Sequence, residues 1–159
     1  MNRLTLFAAL LIPVLVPALA GPARADAPVI GEVSWRRADA HCAFARIGAE
    51  APPDSYLFVT ELVSDDSISI ERGYMRIDGL LRELQLVERS LGEGREVRHY
   101  RTFGEAPAEV RLTMTPRESR QSSQGQTVYV KFEGTLVASR GLSQRQVGFS
   151  GDCGVPPSR

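Results

Sequence analysis

Two cysteines and two histidines are the side chains in this sequence best suited to chemistry. Cys42 and Cys153 lie near opposite ends of the chain, and such a pair in a secreted protein is typical of a structural disulfide. A redox or metal pair is the alternative, but no Cys-x-x-Cys spacing occurs, and His41 and His99 are the only histidines. We therefore predict a Cys42–Cys153 disulfide that closes a loop of about 110 residues.

Nucleophilic catalysis requires a serine or cysteine within reach of a base. The sequence has no Gly-x-Ser-x-Gly elbow, His41 adjoins the predicted disulfide, and His99 lies in Arg98-His99-Tyr100, where an exposed strand residue is expected. These observations predict that the protein is not an enzyme. A hydrolase without a cofactor, using a site that no motif marks, is the alternative.

Acidic residues occur in pairs, such as Asp65 with Asp66 and Glu93 with Glu96, in segments that have turn composition. Acid–base catalysis would need one member of such a pair to be buried, and the pattern places no acidic residue on an apolar face. Asp65, Asp66 and Glu71 could bind calcium weakly, but their spacing does not match a known loop. We predict a solvated acidic turn, no metal site and no cofactor.

A group of arginines with one tyrosine forms the candidate binding face of the sequence. Such a face can bind carboxylates, glycans or an acidic protein. Glu93, Glu96, Glu105 and Glu109 are interleaved with it, so a salt-bridged strand face is the alternative. The residues of the predicted face are Arg95, Arg98, Tyr100, Arg101 and Arg111.

The first 25 residues have the pattern of a cleaved signal peptide. Arg3 precedes an apolar run from Leu4 to Ala20, and Ala23-Arg24-Ala25 is a small-residue cleavage site. The run is short for a membrane span and contains two prolines. We predict an exported protein, periplasmic or secreted, with no stable membrane insertion after the signal is removed.

Removing residues 1–25 from the 159-residue chain leaves 134 residues, a size that suits one domain with one core. The mature chain keeps 17 of the 19 basic residues and all 19 acidic ones, since only Arg3 and Arg24 leave. This near balance argues against nucleic-acid binding. Lys131 is the only lysine, a bias that fits a GC-rich bacterial genome. We predict a single domain over residues 26–159, with a flexible tail from about residue 154.

Alternating apolar and polar residues predict a mainly β fold. Val110 to Thr115 alternates and is expected to end at Pro116, Arg117 to Gln126 is expected to be a protruding polar loop, and Arg95 to Phe103 an edge or half-exposed strand. Thr127 to Cys153 reads as a hairpin that turns at Gly141. The chain as a whole predicts an antiparallel barrel or sandwich of about eight short strands, closed by one disulfide.

Two segments are ambiguous. Leu80 to Leu91 has leucines and a valine at helical spacing, but it follows Asp78-Gly79, a strong hairpin signal, so a strand is favoured. Ala38 to Ile47 allows either a helical turn or a strand. One short helix is therefore compatible with the fold.

The chain resembles the small periplasmic inhibitors of C-type lysozyme in size, export and strand density. The resemblance implies a disulfide-containing β-barrel that blocks a hydrolase with a protruding loop. Gly94 to Tyr100 keeps only a glycine and a later tyrosine of that family's Ser-Gly-x-x-Tyr loop, and Lys131 to Gly134 is a weak match to its Lys-Gly segment. No functional residue is transferred from the family to this sequence.

We expect a small binding or interaction protein of the bacterial cell envelope, with an unknown protein or glycan as its partner. A secreted inhibitor of a hydrolase such as lysozyme is a more specific version of this hypothesis. A hydrolase without a cofactor is the competing hypothesis, and a purely structural envelope protein is the third.

Overall fold

The computed structural model describes most of the chain from Asp26 to Gly154. The predicted signal peptide (residues 1–25) and the tail after residue 154 lie outside the described residues. The described ranges are 26–48, 50, 52–65, 68–104, 107–125 and 127–154.

Strands dominate the described residues, in agreement with the alternating pattern of the sequence. The strands, numbered in chain order, are β1 (Ile30–Gly31), β2 (Val33–Ser34), β3 (Cys42–Arg46), β4 (Ser55–Tyr56), β5 (Phe58–Asp65), β6 (Ile68–Ile77), β7 (Leu80–Gly92), β8 (Arg95–Thr102), β9 (Glu109–Gln121), β10 (Thr127–Arg140) and β11 (Ser143–Gly154).

Eight of these strands close into an antiparallel barrel with an up-and-down order. From β5 to β11 each strand pairs with the next one along the chain, and β3 pairs with both β5 and β11. The ring is therefore closed where the first barrel strand meets the last. β1 adds a ninth strand alongside β6, and the predicted barrel of about eight strands is confirmed.

The predicted disulfide is confirmed, and it lies on the closing seam. Cys42 of β3 is directly opposite Cys153 of β11, the Cα–Cα distance is 4.0 Å, and the two residues are 111 positions apart. Both cysteines are buried. The covalent bond thus fixes the one strand pairing of the ring that joins distant parts of the chain.

The interior of the barrel is filled by alternate residues of each strand. Phe44, Phe58 and Phe149 are fully buried with Tyr100. Gly73 of β6 lies beneath the Phe58 ring, and a Cβ atom there would approach the ring to 2.5 Å. The glycine is needed because the aromatic ring occupies the space of its missing side chain.

A small second layer covers the outer surface of β3 and β5. β2 pairs with β4, and Val33 packs with Ala43 and Val59 in a separate apolar cluster. Trp35 lies at the edge of this cluster and stacks on Tyr74, with ring centroids 4.9 Å apart. This layer accounts for buried side chains on the outer surface of two barrel strands.

The ambiguity over Leu80 to Leu91 is resolved in favour of a strand, β7. Asp78 and Gly79 both have positive φ, at 52° and 78°, as a two-residue type I′ hairpin requires. Leu84 is fully buried, whereas Leu80 and Leu91 are exposed. The leucines at helical spacing therefore do not form one buried face.

Two expectations about strand boundaries are wrong. β9 continues through Pro116 to Gln121, and the first five of the ten residues of the predicted polar loop are strand. β8 pairs with β9 only up to Met114, and a register shift occurs next to Pro116. Proline is tolerated there because the strand has a free edge and a bulge. Of the two possibilities for Arg95 to Phe103, the half-exposed strand is confirmed: β8 alternates buried and accessible residues, and it is not an edge strand because it pairs with both β7 and β9.

The only helical element in the described residues is a 3₁₀ turn, Arg37–Asp39, which precedes β3. Ala38 to Ile47 therefore divides into a helical turn and a strand. Among the described residues, no helix has the length and apolar character needed to cross a bilayer.

Replacing both cysteines with alanine should destabilise the fold by up to about 4–5 kcal/mol, because the unfolded chain loses a long covalent loop. The free energy of unfolding, measured in urea with and without a phosphine reductant, checks this. The reductant should lower the stability of the wild type and leave that of Cys42→Ala/Cys153→Ala unchanged. Equal stability of the oxidised and reduced wild type would contradict the structural role of the bond.

Candidate functional site

The predicted arginine–tyrosine face is divided between the inside and the outside of the barrel. Arg98 and Tyr100 point into the interior and are buried, whereas Arg95, Arg101 and Arg111 are exposed on the outer surface. Successive residues of a strand point to opposite faces, so Arg98 cannot share a face with Arg95 and Arg101. The five residues do not form one binding surface, and this part of the prediction is corrected.

Arg98 is the centre of a buried charged cluster inside the barrel. Its Nη1 donates to Glu71 Oε1 at 2.6 Å, and its Nε donates to Glu96 Oε1 at 2.6 Å. The hydroxyl of Tyr100 also donates to Glu71 Oε1 at 2.6 Å. The side chain of Arg98 is only 3% exposed. The expectation that no acidic residue lies on an apolar face is therefore wrong for Glu71 and Glu96.

The charges of this cluster balance. Arg89, which is half-exposed, places its Nε 2.7 Å from Glu96 Oε1, so two guanidinium groups face two carboxylates. Burial alone would lower the pKa of Arg98, but Tyr100, Glu71 and Glu96 raise it above its usual value. Burial is also the main reason why the pKa of Tyr100 is well above its usual value, with Glu71 adding to the effect. Arg98 stays charged and Tyr100 stays protonated.

The same guanidinium group contacts the disulfide. Arg98 Nη1 lies 3.3 Å from Cys42 Sγ, and its Nη2 lies 4.0 Å from Cys153 Sγ. The neighbouring His41 has a lowered pKa, chiefly because of burial, so its neutral form is favoured. One side chain of β8 therefore links β6, the closing seam and its own strand.

The buried cluster is self-contained rather than a site that awaits a ligand. No buried side-chain nitrogen or oxygen atom of the described residues lacks a hydrogen-bond partner. Glu71 is committed to Arg98 and Tyr100, and Asp66 lies outside the described residues, so the weak calcium site considered for Asp65, Asp66 and Glu71 gains no support. The described residues contain no group of three or more His, Cys, Asp and Glu positioned for a metal ion.

A groove of about 480 Å³ on the outer surface is the best candidate for ligand binding. It runs across β7 to β11, beside a register shift at Val87 in β7, and such bulges increase the local twist of a sheet. We refer to it as the outer groove. Its lining residues are Glu88, Ser90, Val97, His99, Glu109, Arg111, Val137, Ser139 and Gln144.

Charged and polar groups of both kinds meet in the outer groove. His99 Nε2 lies 3.6 Å from Glu109 Oε2, and Arg101 Nη2, outside the lining, lies 2.9 Å from Glu109 Oε1. Arg111 is directly opposite His99 across the β8–β9 pairing, and Ser139 is opposite Glu109. These groups can donate hydrogen bonds to a polar ligand and accept hydrogen bonds from it. Of the predicted face, the outer groove contains only Arg111, with Arg101 beside it.

The outer groove also contains the residue types of acid–base chemistry, but without a nucleophile in place. Ser90 and Ser139 line it together with His99. A hydrolase would need one of these hydroxyls within hydrogen-bond reach of the imidazole. The hydrogen bonds of the described residues do not include a contact between either hydroxyl and His99.

The outer groove was missed by sequence analysis because its residues come from five strands. Their positions along the chain are far apart, and only strand register brings them together. Alternation alone could have placed His99 and Arg111 on the outer surface. Each is next to a buried residue, Tyr100 and Leu112 respectively, and neighbouring residues of a strand point to opposite faces. The pairing of β8 with β9 was the missing information.

The β9–β10 hairpin is a second exposed feature. Residues from Pro116 to Gln121 are all exposed, and β8 no longer pairs with this part of β9. Cross-strand ion pairs join Arg117 to Glu133 at 2.9 Å and Lys131 to Glu118 at 3.3 Å. The predicted polar loop is thus a charged β-ribbon with one free edge.

No protein family, curated protein or solved structure matches this chain. The polar groups of the buried cluster already have hydrogen-bond partners within the protein. The outer groove is concave and accessible, and its volume of about 480 Å³ is in the range of ligand sites.

Replacing Arg98 with methionine should destabilise the protein by about 3–5 kcal/mol, because buried Glu71 loses its cationic partner and Glu96 keeps only Arg89. Arg95→Met, an exposed position three residues earlier in β8, should change the free energy of unfolding by no more than about 0.5 kcal/mol. Chemical denaturation of both variants measures the difference.

The triple variant Arg98→Met/Glu71→Leu/Glu96→Leu tests whether the loss is electrostatic. Removing the charges together should restore much of the stability, since apolar residues of similar volume replace a buried ion cluster with little cost. If the triple variant were as unstable as Arg98→Met, the loss would come from packing rather than from unpaired charge.

Proposed function

We propose that this chain is an exported, non-catalytic binding protein of the bacterial cell envelope, and that it holds a polar ligand in the outer groove. The observation that carries the proposal is the convergence of His99, Glu109 and Arg111 in one concave surface. A leader-like apolar run and a single disulfide agree with function in an oxidising compartment.

The composition of the outer groove favours a ligand rich in hydroxyl and amide groups. Carboxylates, a guanidinium group, two hydroxyls and an amide line it, while Val97 and Val137 supply its apolar part. A ligand that carries a carboxylate can pair with Arg111 by charge-assisted hydrogen bonds. Glycan chains of the cell wall that carry short peptides combine these groups.

Titration of ¹⁵N-labelled protein from Asp26 onward with soluble glycan–peptide fragments of the cell wall tests this function. Amide shifts should concentrate at Ser90, His99, Arg111 and Ser139. Arg111→Gln should weaken binding about tenfold or more, because a charge-assisted hydrogen bond contributes about 1.5–3 kcal/mol.

Arg120→Gln is the matched control, since Arg120 is an exposed arginine of the same strand outside the outer groove. It should leave the affinity unchanged. Shifts spread evenly over the surface, or equal losses in both variants, would refute specific binding in the outer groove.

Inhibition of a glycoside hydrolase is a second candidate function, favoured by the exposed β9–β10 hairpin. Glycoside hydrolases cleave with two carboxylates in an open cleft. Arg117 and Arg120 lie on the exposed ribbon, where a guanidinium group could pair with such a carboxylate. Because β8 does not pair with this part of β9, the ribbon has a free edge. Such a ribbon can enter a cleft that a flat surface cannot enter.

A C-type lysozyme is the probe for the second candidate. The protein should slow its hydrolysis of cell walls in proportion to concentration, and Arg117→Ala/Arg120→Ala should lose at least tenfold in inhibition. Arg95→Ala, at another exposed arginine, should inhibit like the wild type. Absence of inhibition at micromolar concentration would exclude this enzyme class as the target.

A further inference from the structure

Large apolar side chains are exposed at the end of the barrel where the β6–β7 and β10–β11 turns lie. Val29 is 60% exposed, Leu80 57% and Leu142 106%. Exposed leucines are common singly, but a contiguous group on one surface marks an interaction site.

Asp78 brings the three segments together. Its Oδ1 accepts the backbone N–H of Val29 at 2.8 Å, and its Oδ2 accepts Nη2 of Arg140 at 2.7 Å. Leu80 follows Asp78 by two residues, and Leu142 follows Arg140 by two. In the strand order of the ring, β6 and β10 lie on opposite sides, so the Asp78–Arg140 ion pair spans the end of the barrel.

Two further apolar side chains extend this surface along β7 and β8. Leu81 lies opposite Arg76 in β6, and Phe103 follows Thr102, which pairs with Leu84 of β7. Leu81 is 52% exposed and Phe103 68%. We define the apolar rim by the residues Val29, Leu80, Leu81, Phe103 and Leu142.

Arginines give the surroundings of the apolar rim a positive character. Arg82 and Arg145 are exposed next to it. Two carboxylates near the apolar rim are in ion pairs: Asp78 pairs with Arg140, and Glu83 lies 3.3 Å from Arg72. The pKa of Asp78 is lowered, first by the Val29 N–H and then by Arg140. An apolar group flanked by exposed arginines is complementary to an anionic lipid surface.

From these observations we infer that the apolar rim is a peripheral docking surface for an anionic lipid bilayer. Leu142 and Phe103 reach the boundary between headgroups and acyl chains, and Arg82 and Arg145 contact the headgroups. Docking needs no membrane span. It is independent of the outer groove, so it goes beyond the proposed function.

Sedimentation of the protein from Asp26 onward with vesicles tests the inference. Vesicles of phosphatidylglycerol and phosphatidylethanolamine should retain the protein at low salt, whereas phosphatidylcholine vesicles should retain much less. Leu142→Asp/Phe103→Asp should lower the partition coefficient at least fivefold. Arg82→Gln/Arg145→Gln should reduce the preference for the anionic vesicles.

Leu91→Asp is the matched control, because Leu91 is 73% exposed on the β7–β8 hairpin, which lies at the other end of the barrel. This variant should bind vesicles like the wild type. Failure of the wild type to bind anionic vesicles, or an equal loss in Leu91→Asp, would overturn the inference. A dimer in light scattering that Leu142→Asp dissociates, without vesicle binding, would identify a second copy as the occupant and overturn it too.

Discussion

The contacts of one guanidinium group are the constraint on which the barrel depends. Arg98 lies inside an apolar barrel, bonded to Glu71 and Glu96 and in contact with both sulfur atoms of the disulfide. A charge in such a place is tolerated only when its partners are held in position. The strands that supply them must therefore keep one register. Another register of β6, β8 or the closing seam would leave one of these buried charges without its partner, so the cluster disfavours such registers.

The division between inside and outside explains where function can lie. The interior is filled by aromatic and aliphatic side chains together with the balanced charged cluster. The candidate binding surfaces therefore lie on the outside. They are the outer groove, the β9–β10 hairpin and the apolar rim, and they occupy different parts of the barrel. A rigid scaffold with separate surfaces is compatible with both the ligand binding and the lipid docking proposed above.

The fold was largely predictable because its determinants are local. The Asp78-Gly79 turn and the alternation from Val110 to Met114 each identify an element from a few neighbouring residues. The Cys42–Cys153 bond is not local, but it could be predicted because the sequence contains only these two cysteines. The end of β9 was not predictable, because the tolerance of Pro116 depends on the absence of a neighbouring strand. The candidate site was harder still. Arg95, Arg98 and Arg101 are evenly spaced, yet a spacing of three residues changes the face of a strand each time.

The position of the disulfide has a consequence for the order of folding. Neighbouring strands of an up-and-down barrel can form hairpins early, but β3 and β11 are separated by almost the whole domain, which raises the contact order and slows the final step. Until the two strands pair, each has an edge with unpaired backbone N–H and C=O groups. Such edges can pair with strands of other chains. In a chain that crosses a membrane from its amino end, β3 can pair with β5 early, but its other edge stays unpaired until β11 has crossed. A chaperone would be of most use in this interval.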